Sequence, residues 1–172
     1  IDGINLLAGS ICILMSAAFG AWFYYYGFFD YAILALAMSG AVLAFLKYNY
    51  TPAKIFMGDS GSLSIGLLAA VMAIQFIEKN EIVLLSGSSD GVKIVSAPAM
   101  AIAILIIPVF DTLRAFLLRI LNKKSPFLAD RNHIHHKLID LGCSHIQATF
   151  ILIGVNILFI GLVYFLQHWG NL

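Results

Sequence analysis

Charge is what this sequence has least of. Only 11% of its 172 residues are Asp, Glu, Lys or Arg, whereas soluble domains carry about 25%. A soluble globule of this length could not bury the 61% of residues that are hydrophobic, so the solvent that fits the composition is lipid. There is no excess of one sign either. Ten basic and nine acidic residues leave a net charge of +1, which gives no electrostatic footprint for nucleic acid. Cysteine is scarce, and Cys12 and Cys143 lie far apart in unlike contexts, which argues against a disulfide framework or a CxxC site. The GxxxxGK[ST] phosphate loop is absent, and so is any internal repeat or low-complexity tract. The chain opens on Ile1-Asp2-Gly3 without an initiator Met or a signal peptide, and is expected to be part of a longer protein.

What is present is a series of long uncharged runs: Gly3–Phe29 (27 residues), Tyr31–Leu46 (16), Ser60–Ile77 (18), Ile94–Phe110 (17) and Gln147–Gln167 (21). A membrane helix needs about 20 apolar residues. The expectation is an all-α, polytopic transmembrane bundle of about five spans forming a single integral-membrane domain over residues 1–172, with the short second and fourth spans tilted or partly buried. Five crossings place Lys47, Lys54, Arg114, Arg119, Lys123, Lys124, Arg131 and Lys137 on one side, and only Lys79 and Lys93 on the other. The positive-inside rule makes the first side cytoplasmic. Trp22, Tyr24, Tyr25 and Tyr26, with Tyr164 and Trp169, would anchor the opposite interface. In the outer loop 78–93, EIVLL and VKIV flank a Gly/Ser/Asp turn, which suggests a small extracytoplasmic hairpin; a disordered loop is the alternative.

Nearly everything polar falls on the predicted cytoplasmic side. In IFMGDSGSLSIG (Ile55–Gly66), Asp59 or Ser60 is a natural cap for the third span. A helix N-terminus attracts phosphate, and a carboxylate there can hold Mg²⁺ together with substrate phosphate oxygens. Simple capping, with the small residues serving packing, remains open. In ADRNHIHHKLIDLG (Ala129–Gly142), Asp130 or Asn132 could cap a short helix ending at Gly142. Ile134, Leu138 and Leu141 would rest on the membrane interface, and His133, His136 and Asp140 would share another face. Three histidines beside Arg131 and Lys137 fit anion binding better than zinc, for which HxHH is not a standard spacing. In the opening IDGINLLAG, Asp2 and Asn5 would lie on one face of a helix that starts at once, with Asp2 as a cap or a ligand. In PVFDTLRAFLLRI, Leu113, Phe116, Leu117 and Ile120 form a stripe suited to a cytoplasmic interfacial helix that Pro126 ends. Asp111 is either a solvated terminus or a site residue.

Together these motifs resemble those of the polyprenyl-phosphate N-acetylhexosamine-1-phosphate transferases. IDGINLLAGS is similar to their DGIDGLAAG-type motif, PAKIFMGDSGSLSIG to FxGDxGSxxLG, and DRNHIHH to the histidine signature of the branch using UDP-N-acetylglucosamine. The resemblance implies that undecaprenyl phosphate attacks the β-phosphorus of a UDP-N-acetylhexosamine at the cytoplasmic face of a bacterial plasma membrane. It further implies Mg²⁺ (or Mn²⁺) on Asp59, Asp2 as a catalytic residue at the nucleotide or metal site with Asn5 beside it, and Arg131, His133, His135 and His136 on the diphosphate. Asn5 stands where the family more often has Asp. The family's paired-aspartate motif lies upstream of anything in this chain, so the chain is expected to be a C-terminal part that is inactive alone. A homodimer is a candidate assembly. The rival readings are a non-catalytic module that binds lipid pyrophosphate, and a transporter, which the absence of charge within the spans disfavours.

Overall fold

The computed structural model describes residues 4–87, 93–123, 125 and 133–169. Within them the chain folds into seven helices: α1 (Leu7–Tyr25), α2 (Phe29–Asn49), α3 (Gly58–Leu85), α4 (Ala97–Ile104), α5 (Ile106–Leu121), α6 (Ile134–Asp140) and α7 (His145–Trp169). Helices α1, α2, α3 and α7 are long and apolar enough to cross a membrane, and the bent pair α4–α5 makes a fifth crossing if it is counted as one span. The chain is a multi-pass membrane protein, as the uncharged runs require.

The most buried of the long helices is α1. Its Met15, Phe19 and Phe23 are buried in the main core, and Phe76 of α3 meets the rings of both Phe19, at 5.4 Å, and Trp22, at 4.8 Å. Trp22 is therefore a core residue and not an interfacial anchor, whereas Tyr24, Tyr25 and Trp169 are exposed. Helices α1 and α2 form a tight antiparallel hairpin. Gly27, at φ 78°, ends α1 with bonds from Gly27 N–H to the Tyr24 carbonyl and from Phe28 N–H to the Phe23 carbonyl, the paired closure that an αL residue permits. Close contact depends on Gly20, where a Cβ would stand 2.9 Å from that of Ala35.

Two stretches depart from expectation. The predicted outer hairpin is not formed. EIVLL continues α3 to Leu85, because Phe76, Asn80 and Val83 repeat at helical spacing and face the bundle. Buried Asn80 fixes this end by donating to the Ile94 carbonyl at 2.9 Å. The fourth span is not one helix: α4 and α5 meet at Leu105 and are bent by 76°. Pro108 is the cause. It has no N–H for the Ile104 carbonyl one turn earlier, and its ring meets that carbonyl. Beyond the bend, Ile107, Asp111 and Ala115 are buried while Leu113, Leu117 and Ile120 are exposed. The apolar stripe thus faces outward, as an interfacial helix needs. That helix ends at Leu121, closed by Lys123 at φ 55°, ahead of the expected stop at Pro126, which lies outside the described residues.

The packing of α1 on α2 is testable. Gly20→Val should lower stability by about 1–3 kcal/mol, the scale of overpacking a close contact. Gly154→Ala, whose added Cβ meets no atom within 4 Å, should change it by less than about 1 kcal/mol. Thermal denaturation of the intact gene product in detergent distinguishes the two.

Candidate active site

One end of the bundle is built from polar side chains that join segments distant in sequence. Leu6 adopts φ 71°, and its N–H donates to Oδ1 of buried Asn49 at 2.7 Å, while Asn49 Nδ2 donates to the Ile55 carbonyl at 2.9 Å. One amide thus ties together the start of α1, the end of α2 and the loop into α3. Asn5 lies before the helix and not on it; α1 begins only at Leu7. Its amide donates to Thr51 Oγ1 at 3.2 Å, and its carbonyl accepts from Thr149 Oγ1 on α7 at 3.3 Å. The expected shared face with Asp2 is not seen, and Asp2 itself lies outside the described residues.

Asp59 occupies the first turn of α3, one residue past Gly58 at φ 67°. The residue at the cap position is Met57, with no side-chain capping bond, so neither Asp59 nor Ser60 caps the span. Ser62 and Ser64 turn back onto the carbonyls of Asp59 and Ser60 at 3.2 and 2.7 Å. The Asp59 carboxylate is exposed and bonds to no described side chain. Among the described residues no three His, Cys, Asp or Glu side chains converge on a metal site. A single open carboxylate at the positive end of a helix still suits Mg²⁺, which takes one or two carboxylates and draws its other ligands from water and phosphate.

The histidine segment is organised by a residue left open in the sequence, Asp111. Its carboxylate is buried on α5. Oδ2 lies 2.8 Å from His133 Nδ1, and Oδ1 accepts the Ile134 N–H at 2.8 Å. Asp111 thereby satisfies the free N-terminus of α6 from another helix, the work expected of Asp130 or Asn132, which fall outside the described residues. Binding Nδ1 leaves His133 Nε2 as the ring nitrogen open to a ligand. At its other end α6 closes through Gly142, at φ 94°, with Gly142 N–H on the Ile139 carbonyl and Cys143 N–H on that of Leu138.

Ile134 and Leu138 pack on a second core cluster with Ile4, Ile107, Ala148 and Leu152. Leu141 is 82% exposed, so of the expected apolar face only Ile134 and Leu138 dock on protein. Nor do His133, His136 and Asp140 form one helical face, because His133 precedes the helix. His135 is the buried one, at 2% exposure. Its ring stacks on His133 at 5.6 Å and tilts against His136 at 4.3 Å. Burial, with the neighbouring His136, pulls its pKa from the ordinary 6.5 down to about 4. Arg131 lies outside the described residues.

A cavity of about 230 Å³ lies between α1, α3 and α5. It is lined by Cys12 and Met15 of α1, Met57 before α3, Ser62 and Gly66 of α3, and Thr112 of α5. A neighbouring groove runs outward along Ala70, Val109, Leu113 and Phe116. The open carboxylate of Asp59 at the start of α3, the histidine segment docked by Asp111, and the groove between α3 and α5 are the three features of this end of the bundle.

Residues 1–77 match the sequence profile of glycosyl transferase family 4. The chain is similar to the decaprenyl-phosphate N-acetylglucosaminephosphotransferase of Mycolicibacterium smegmatis, 36% identical over 73% of this chain and 30% of that protein. It is 33% identical to the probable undecaprenyl-phosphate N-acetylglucosaminyl 1-phosphate transferase of Bacillus subtilis, over 92% of this chain and 41% of that protein. A phospho-N-acetylmuramoyl-pentapeptide-transferase of Clostridium perfringens is likewise 33% identical, over 92% of this chain and 44% of that protein. The chain therefore spans less than half the length of these relatives. No solved structure matches it.

The His135 environment sets a pH dependence. Its folded pKa lies below the unfolded value, so the unfolded segment binds more protons between pH 6.5 and 4. Docking of α6 is at full strength above pH 6.5 and weakens as the pH falls toward 4, by an amount on the order of 3 kcal/mol. Hydrogen exchange over residues 134–140, corrected for intrinsic rates, should accelerate between pH 7 and 5. His135→Phe should flatten that dependence.

Proposed function

We infer that the protein containing this chain transfers N-acetylglucosamine 1-phosphate from a UDP-sugar to undecaprenyl phosphate. An oxygen of the lipid phosphate attacks the β-phosphorus, the bond from that phosphorus to the bridging oxygen breaks, and UMP leaves with that oxygen. A lipid pyrophosphoryl sugar remains, the starting unit of a cell-surface glycan. The observation that carries this reading is the position of the docked histidine segment and the Asp59 carboxylate at one end of a bundle, beside a groove open to lipid. The names of the relatives supply the donor and acceptor classes, and the histidine pattern favours N-acetylglucosamine over the muramoyl-pentapeptide.

On this reading His133, held by Asp111, presents Nε2 to the diphosphate, and His136 and Arg131 supply further donors to it. Buried His135 remains neutral near pH 7 and supports the stack. Asp59 would hold Mg²⁺, which supplies charge neutralisation on the phosphoryl oxygens, and Asp2 would bind the nucleotide or help order the metal site. The isoprenoid tail lies in the groove between α3 and α5, so the headgroup meets the nucleotide at the membrane face. That face is cytoplasmic by the distribution of Lys and Arg, in a bacterial plasma membrane. Because the chain spans less than half the length of these relatives, it is expected to be inactive alone.

The test uses the intact gene product with UDP-N-acetylglucosamine, undecaprenyl phosphate and Mg²⁺. Asp59→Asn should lower turnover by about two orders of magnitude or more, the scale of losing a charge-stabilising group. His136→Ala should mainly raise KM for the UDP-sugar. Normal Mg²⁺-dependent turnover in Asp59→Asn would remove the metal assignment, and release of inorganic phosphate in place of UMP would replace the transfer reading with hydrolysis.

A further inference from the structure

The bend between α4 and α5 leaves backbone groups that lipid cannot satisfy. With Pro108 lacking an N–H, the Ile104 carbonyl loses its donor, and an unsatisfied carbonyl at membrane depth is costly. The donor comes from α7. Asn156, fully buried in that helix, places Nδ2 at 3.1 Å from the Ala103 carbonyl and 3.2 Å from the Ile104 carbonyl. Both partners are acceptors, so only the amide nitrogen can face them. Eleven residues later, Gln167 grips the opposite end of α4. Its Oε1 accepts the Ser96 N–H at 3.2 Å and its Nε2 donates to the Ser96 carbonyl at 3.1 Å. Eleven residues are close to three helical turns, so the two amides share one face of α7 and hold the half-helix α4 at both ends.

We propose that Asn156 is a positioning residue that fixes the α4–α5 bend and so sets the shape of the lipid groove. The groove begins at the bend itself. Leu105 and Pro108 line it, followed by Thr112, Leu113 and Phe116 along α5, opposite Gly66 and Ala69 of α3. A change in the direction of α5 opens or closes that wall, while Asn156 touches none of it. Gln167 holds the far end of α4, away from the bend, and serves as the internal comparison: both amides support α4, but only one governs α5. The inference rests on the transfer reading for the identity of the tail.

In the intact gene product, Asn156→Leu should raise KM for undecaprenyl phosphate about fivefold, the scale of one interhelical hydrogen bond in a membrane, and lower kcat. Equilibrium binding of labelled undecaprenyl phosphate, read without turnover, should weaken by the same factor. Asn156→Gln, which keeps a donor, should recover most of the loss. Gln167→Leu should reduce thermal stability yet leave KM and lipid binding near wild type. If Asn156→Leu does not accumulate as folded protein, Asn156→Ala decides by the same measurements. Wild-type lipid binding in the folded Asn156 variant, or an equal loss in Gln167→Leu, overturns the proposal. Absence of sugar-phosphate transfer by the wild-type protein overturns the transfer reading instead, and the lipid-binding comparison still decides the role of Asn156.

Discussion

A carboxylate buried in a membrane protein has to be matched by donors, and at Asp111 the match defines the inner face. One oxygen takes the His133 ring and the other takes the first free N–H of α6. Charge-assisted bonds of this kind are about twice as strong as neutral ones, and removing one partner of a buried charge is heavily destabilising. Through this one side chain, α5 dictates where the histidine segment begins, which ring nitrogen is free and how α6 lies on the second core cluster. A seven-residue helix is too short to be stable alone. Its order comes from the Asp111 cap, the Gly142 closure and the burial of Ile134 and Leu138.

The direction of α5 is in turn set by the break in the fourth span. Lipid offers no hydrogen bonds, so a helix can be broken only where a neighbour supplies the missing donor. Pro108 imposes the break and α7 supplies the donor. The consequence is an amphipathic helix whose buried face carries Asp111 and whose exposed face carries Leu113, Leu117 and Ile120. One geometric device places a buried acid on one face of α5 and an apolar wall on the other.

The membrane architecture was legible in the sequence because charge is excluded from lipid, so uncharged runs mark the spans directly. The motifs around Asp59 and the histidines stood out for the same reason, since clusters of polar residues are rare in so apolar a chain. Four things were hidden. Asp111 at a span end reads like a solvated terminus, and only its burial on the Ile107–Ala115 face separates the two. Asn156 is a single amide in an apolar run, and its partners are carbonyls that Pro108 left without a donor; pairing a proline in one span with an amide in another was the signal that could have found them. EIVLL reads as strand because Ile and Val favour sheets, yet the Phe76–Asn80–Val83 spacing keeps it helical. Trp22 looked interfacial by position, but its neighbours Phe23 and Phe76 draw it inward.

On the proposed function, Asp111 and His133 act as one unit in binding the UDP-sugar. A double-mutant cycle on kcat/KM for UDP-N-acetylglucosamine in the intact gene product tests it most directly. Asp111→Ala and His133→Ala should each lower kcat/KM, with Asp111→Ala the more damaging because it also uncaps α6. The double variant should match Asp111→Ala alone, since His133 has nothing left to lose once its partner is gone. If the two losses multiply in the double variant, the residues act independently and the account of how the histidine segment is positioned is wrong.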